Sequence, residues 1–273
     1  MKRYKILLIL FLTLFASSCE EVIDVNLETA APRLVVYASI EKQKEPTGSE
    51  QKIRLSTTTG YFDDLIPTVS GADVRITNSV KVDFIFTETS NPGEYKCADF
   101  DPNIGEVYVL TIVLNGETYT ATETLKSVSP FTKIEHKNDG GFSAKEIEIK
   151  AYFNDPADVD NYYMVKFKSG VSAIPFYDIF DDSFTQGNEN FGLYINENLK
   201  PGNTVDITLF GISKRYFEYM RKLTAIAGSA SGGPFATAPA TVRGNIVNTT
   251  NPNNFAFGYF NLSETDYRKY VIE

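Results

Sequence analysis

The chain has 273 residues, with 26 Lys and Arg against 35 Asp and Glu, one His, two Cys and no Trp, for a formal net charge of −9. Nucleic acid and anionic membrane surfaces repel such a balance, and one imidazole with two thiols is too few for a Cys/His zinc cluster or a disulfide scaffold. At 42% hydrophobic and 13% aromatic it is a folding chain, long enough for one large or two medium cores.

Residues 1–18 read as a lipoprotein signal peptide. Lys2, Arg3 and Lys5 are positive, and the apolar run Ile6–Phe15 is broken only by Thr13. At ~1.5 Å per residue the run spans ~15 Å, about half a bilayer and too short for a transmembrane helix. Ala16-Ser17-Ser18 then leads into Cys19. A Cys directly after small residues is the arrangement of a bacterial lipoprotein, in which the thiol takes a diacylglyceryl group and the cleaved terminus is acylated. The alternative is an ordinary secretory site at Ala16 and Ser18 with Cys19 incidental. Loss of the signal leaves 35 acids against 23 bases, a net of −12. Residues 19–31 form an acidic tether. With Cys19 committed to lipid, Cys97 has no disulfide partner and is expected to be a small buried residue.

Short β-patterned runs follow from Pro32, at Leu34–Ile40, Gln51–Ser56, Ala72–Thr77 and Val82–Thr87. Asn91-Pro92-Gly93 is a turn by residue type. Glu106–Thr122 is the clearest hairpin, closing on Asn115-Gly116, with Tyr108, Leu110, Ile112 and Leu114 on one face and Val107, Val109, Thr111 and Val113 on the other. Apolar on both faces, it is expected inside a sandwich and not on its rim. Residues 32–127 are therefore expected to be an immunoglobulin-like β-sandwich. The pattern resets near Ser127-Val-Ser-Pro130, and 128–273 is expected to be a second β-rich domain. Its strands are predicted at Thr132–His136, Glu146–Phe153, Tyr162–Lys168, Val205–Phe210, Val242–Val247 and Phe255–Phe260. One amphipathic helix, capped by Ser213 and running to about Ala227, places Tyr216, Met220, Leu223 and Ala227 on one side. No internal repeat is visible.

Groups for catalysis are scarce. His136 lies in a surface-strand pattern, and neither a nucleophile elbow nor a phosphate loop occurs, so the chain is expected not to be an enzyme. Calcium is the one metal the acids suggest, with Asp155, Asp158 and Asp160 within six residues as the stronger set and Asp178, Asp181 and Asp182 as the weaker; solvated turn acids are the alternative, and no cofactor is otherwise expected. The stretch 170–190 has no period yet is rich in aromatics. Phe176, Tyr177, Phe180, Phe184 and Phe191 are the candidate partner or ligand contacts if it is a long functional loop; a small satellite core is the alternative.

The ordered set Cys19-Glu-Glu-Val-Ile-Asp-Val, Pro32-Arg-Leu-Val-Val, Val69-Ser-Gly-Ala-Asp-Val, Pro92-Gly-Glu-Tyr, Gly105-Glu-Val-Tyr-Val-Leu-Thr-Ile, Gly116-Glu-Thr-Tyr-Thr-Ala, Gly233-Pro-Phe, Val242-Arg-Gly-Asn-Ile-Val-Asn and Phe257-Gly-Tyr-Phe resembles the DUF4249 family of Bacteroidetes lipoproteins. The resemblance implies a lipid-anchored outer-membrane protein, in many cases encoded beside a TonB-dependent receptor, with no catalytic residues to carry over. Glu20 and Glu21 resemble the acidic signal that sends such lipoproteins to the cell surface. The expected function is that of a non-enzymatic accessory or ligand-capturing partner of a TonB-dependent transporter, with no nucleic-acid partner. A structural or adhesive surface lipoprotein binding glycan or host material is the alternative.

Overall fold

The computed structural model describes residues 30–44, 50–60, 63–141, 144–227 and 242–273. The signal peptide, Cys19, Glu20, Glu21 and nearly all of the tether lie outside the described residues. Pro32–Glu273 form one compact unit.

Seven strands build the first half: β1 (Leu34–Gln43), β2 (Gln51–Thr57), β3 (Asp73–Thr77), β4 (Asp83–Glu88), β5 (Glu94–Cys97), β6 (Val107–Leu114) and β7 (Glu117–Thr124). β1, β2 and β5 pair in one sheet, and β4, β3, β6 and β7 in the other, with β4 also touching β5 at Thr87 and Glu88. Period-two alternation turns Leu34, Val36, Ala38 and Ile40 of β1 and Tyr108, Leu110 and Ile112 of β6 into the core between the sheets. This is the immunoglobulin-like sandwich. The Tyr108 hydroxyl accepts from the Asn103 N–H at 2.8 Å and donates to Glu106 at 2.7 Å, a tyrosine corner at the start of a sandwich strand. Burial and the adjacent carboxylate push the Tyr108 phenol up to about 12. Cys97, a free thiol, is buried in the same core.

The β6–β7 hairpin corrects one expectation. It turns on Asn115 and Gly116, both at positive φ, but it stands near a sheet edge, with β7 covered only by the two-residue β14 (Val247–Asn248). Val107 on its outer face is 43% exposed.

The second half repeats the strand order of the first, although the sequence carries no visible repeat. β8 (Phe131–Gly140), β9 (Glu146–Asn154) and β12 (Glu189–Asn196) form a three-stranded sheet. It faces β11 (Phe176–Asp181), β10 (Tyr162–Ser169), β13 (Thr204–Ile212) and the C-terminal half of β15 (Phe257–Val271) around a second core. The helix α1 (Lys214–Ala227) lies between β13 and β15 in sequence. Ser213 caps it, its Oγ accepting from the Tyr216 N–H at 3.2 Å.

The 15-residue β15 joins the halves. Its first part runs parallel to β1, from Val35 opposite Phe257 to Gln43 opposite Thr265; its last part runs antiparallel to β13, from Phe210 opposite Thr265 to Thr204 opposite Val271. One twelve-stranded sheet results. Residues 128–273 supply the second, β-rich region with its one helix and its own core, and part of the segment also reaches back to the first. Leu125 and Val128 do fall in different cores, but Ile246, Ala256, Phe260 and Leu262 return to the first. The Asn245 side chain supports this return, donating to the carbonyl and accepting from the N–H of Phe260 at 2.8 and 2.9 Å. Asn248, Asn251 and Asn254 all donate to the Glu117 carboxylate of the hairpin.

The link between the halves is fastened. Glu264 and Asp266, on the inward face of β15, accept the N–H groups of Val128 and Phe131 at 2.9 and 2.7 Å, and the Glu264 N–H donates to the Lys126 carbonyl at 2.8 Å. Four otherwise loop-like residues, Ser263, Glu264, Thr265 and Asp266, are consequently buried.

Candidate functional site

The aromatic stretch is not a long loop. Phe176–Asp181 is β11, paired with β10 so that Phe167 faces Phe176, and β12 begins at Glu189, leaving only a short turn between. Strand alternation then scatters the five candidate rings. Phe180 packs between Phe153 and Tyr163, at 6.1 and 5.8 Å between centroids. Phe176 stacks on Tyr194 at 5.4 Å while remaining 47% exposed. Tyr177 points to the opposite face. Phe191 lies over Tyr152 with the Lys150 ammonium 4.9 Å from its ring. Phe184 stands in the turn, 98% exposed.

The acids likewise do structural work. Asp155 is buried and accepts from the Tyr163 hydroxyl, from the Gly187 N–H at 2.8 Å and from Asn161. Asp158 and Asp160 are exposed. Among the described residues no group of three or more His, Cys, Asp or Glu is placed to hold a metal ion. Asp178 accepts from the Leu193 N–H at 2.8 Å across the β11–β12 edge, and burial raises its carboxyl above the usual range. Asp182 caps the Asn161 N–H at 2.7 Å. His136 contacts the Tyr270 hydroxyl at 2.6 Å and the Glu273 carbonyl at 3.2 Å, at the side of β8.

An apolar concavity lies between α1 and the outer face of the joined sheet. A cavity of about 280 Å³ opens there. Met164, Phe210 and the backbone of Gly258 form its floor; Tyr216, Tyr219, Met220 and Leu223 of α1 form one wall; Tyr37, Tyr177 and Tyr259 complete it. Lys166 and Glu41 stand at its rim, 3.8 Å apart. Tyr216, Tyr219 and Tyr259 pack against one another, with Tyr259 centred 4.8 Å from each of the other two. Gly258 is required where it stands: φ is +94°, and a Cβ would meet the Val36 carbonyl oxygen of β1 at 1.8 Å.

The polar chemistry of the cavity is that of neutral phenols. Burial raises the hydroxyls of Tyr177, Tyr216 and Tyr219 above their ordinary value, so they remain donors at physiological pH. None of these three hydroxyls has a protein hydrogen-bond partner among the described residues, and none is a fully buried unpaired atom, so they are open to solvent or a ligand. Tyr259 differs. Its hydroxyl donates to Glu123, which also accepts from Ser213 at 2.9 Å, and burial raises the Glu123 carboxyl.

The helical spacing places Tyr216, Met220 and Leu223 on one side but does not say what that side faces. Tyr37, Tyr177 and Tyr259 were not foreseen beside it. They arrive on three strands far apart in the chain, so spacing carries no trace of their meeting.

A family model described as a domain of unknown function, DUF4249, matches residues 20–269. Among solved structures, a two-domain fibronectin type III segment of chicken tenascin is 11% identical, covering 66% of this chain and 90% of that one, with a TM-score of 0.22. The FN1–FN3 domains of chicken CNTN1 are 14% identical over 67% of this chain and 60% of that one, with a TM-score of 0.26. A DUF4785 family protein of Legionella pneumophila is 14% identical over 67% and 54%, again with a TM-score of 0.26. No curated protein matches.

Proposed function

The chain belongs to the DUF4249 family, and from that premise we propose that it is a non-enzymatic, lipid-anchored outer-membrane protein that captures a ligand for a TonB-dependent transporter. The observation that carries ligand capture is the cavity under α1, whose mainly apolar and aromatic lining carries tyrosine hydroxyls, with Lys166 and Glu41 at the rim. Recognition sites for small molecules have this make-up, with apolar walls and a few polar groups that fix orientation. No helix among the described residues is long and apolar enough to cross a membrane. Attachment in this proposal runs through acylated Cys19, with Glu20 and Glu21 directing the protein to the cell surface.

Two measurements test it. The wild-type chain should incorporate labelled palmitate and fractionate with the outer membrane, and Cys19→Ala should do neither. Purification in mild detergent should bring down a TonB-dependent receptor; repeated purifications without one would sink the transporter reading. The second reading is an adhesive surface protein, in which Phe184, 98% exposed, would meet the partner surface. A deletion strain with normal uptake but lost surface attachment would decide for it.

A further inference from the structure

We infer that the ligand is an aromatic or similarly apolar molecule bearing an anionic group, its apolar part under α1 and its charge in a cationic hollow alongside; this rests on the ligand-capture reading. A second hollow of about 360 Å³ adjoins the first, and Tyr219 and Tyr259 line both, so these two rings are the wall they share. Arg215 and Lys222 enter the hollow from α1. They are seven residues apart with Tyr219 between them, one stripe of a helix. Arg243 enters from the segment before β15.

None of the three makes an ion pair within 4 Å among the described residues. Arg215 acts at longer range on the buried Glu123 carboxyl, Lys222 and Arg243 have no such partner there, and Glu218 is the single acid lining the hollow. Arg243 is also held in place: its guanidinium lies 3.8 Å from the centre of the Phe255 ring, and Arg33 lies 3.8 Å from the same centre. Arg33 is itself tied to the Asn253 carbonyl at 3.0 Å. An arginine stacked on a ring is pre-organised for an anion, which lowers the entropy lost on binding. Arg215, Lys222 and Arg243 line one hollow in a chain of net charge −9. At the far rim of the cavity Lys166 is offset by Glu41, so the charge of the combined site is polarised toward the hollow.

Naphthalene-2-sulfonate and naphthalene-2-sulfonamide share their rings and differ in charge, which makes them suitable probes. Both would be titrated calorimetrically into the full chain in nonionic detergent, against a matched micelle blank. The expected result is that the sulfonate binds about tenfold more tightly than the sulfonamide, a ratio that falls as salt rises. Lys222→Gln and Arg243→Gln should each lower that ratio about threefold while the sulfonamide affinity is kept. Leu223→Trp, a half-exposed position that fills the cavity, should abolish both. Equal affinities, or a sulfonate preference indifferent to both charge substitutions, would overturn the inference and leave ligand capture standing. Binding of neither probe by the wild-type chain would overturn ligand capture and the inference with it.

Discussion

Replacing Glu264 by Ala should loosen the joint between the two sandwiches at a cost of about 3 kcal/mol. The carboxylate is buried and accepts from the Val128 N–H at 2.9 Å, and Val128 is itself 5% exposed, so the amide left behind has no water to turn to. A hydrogen bond to a charged acceptor is worth about 1.5–3 kcal/mol, and most of that is lost when the remaining donor is buried. The Lys44 ammonium, 2.8 Å from the same oxygen, has a side chain 27% exposed, and its pair adds no more than about 1 kcal/mol. Glu264→Gln keeps an acceptor for Val128 and gives up only the charge, for about 1 kcal/mol. At roughly 2–4 °C per kcal/mol for a unit of this size, the Ala variant should melt about 6–12 °C below wild type and the Gln variant about 2–4 °C below. Urea and thermal unfolding followed by far-ultraviolet circular dichroism read both numbers. An Ala variant within about 0.5 kcal/mol of wild type, or a Gln variant as unstable as the Ala one, would refute the claim that this bond fastens the linker.

Gly258→Ala should cost at least about 3 kcal/mol, since it combines a left-handed backbone with a backbone overlap that only separation of β1 from β15 relieves; thermal unfolding measures it. Glu123 predicts a pH dependence. Burial raises its folded carboxyl above the unfolded value, so its contribution is complete below the unfolded value and is lost as pH rises through the folded one. The urea midpoint of wild type relative to Glu123→Gln should therefore fall as pH rises above the ordinary carboxylate range, and a constant difference would rule out this titration. Phe184→Ala should leave stability within about 0.5 kcal/mol while weakening any pull-down in which that ring is the anchor.

What was legible in the sequence is what is local. The Asn115-Gly116 turn, the Ser213 cap and the alternation of Glu146–Phe153 each depend on neighbours within a few residues, and each forms where it was read. β15 was foreseen only as Phe255–Phe260. Its continuation, Ser263-Glu-Thr-Asp266, has the composition of a loop, and it is a buried strand because its acids find the N–H groups of a linker 135 residues away. β11 failed for the opposite reason: Phe-Tyr-Asp-Ile-Phe-Asp is apolar on both faces, so no period shows, and the second face is explained only by α1. The repeated strand order leaves no mark in the residues because a sandwich asks only for alternation, which many sequences satisfy.

The cavity has the same non-local origin, and this separates stability from binding. Its five tyrosines come from β1, β11, α1 and β15, and they meet because β15 pairs with both β1 and β13. Along β15 the side chains alternate: Tyr259 faces the cavity with Gly258 as backbone floor, while Phe260, Leu262 and Glu264 face inward. Two substitutions of similar cost should therefore behave differently toward a bound probe. Gly258→Ala parts β1 from β15 beneath Tyr37 and Tyr259 and should weaken naphthalene-2-sulfonamide binding by tenfold or more, about 1.4 kcal/mol. Glu264→Ala acts on the opposite face, at the linker, and at temperatures where it remains folded should bind the same probe within about twofold of wild type. Equal losses in the two variants would mean that the cavity depends on the whole junction and not on the β1–β15 seam beneath it.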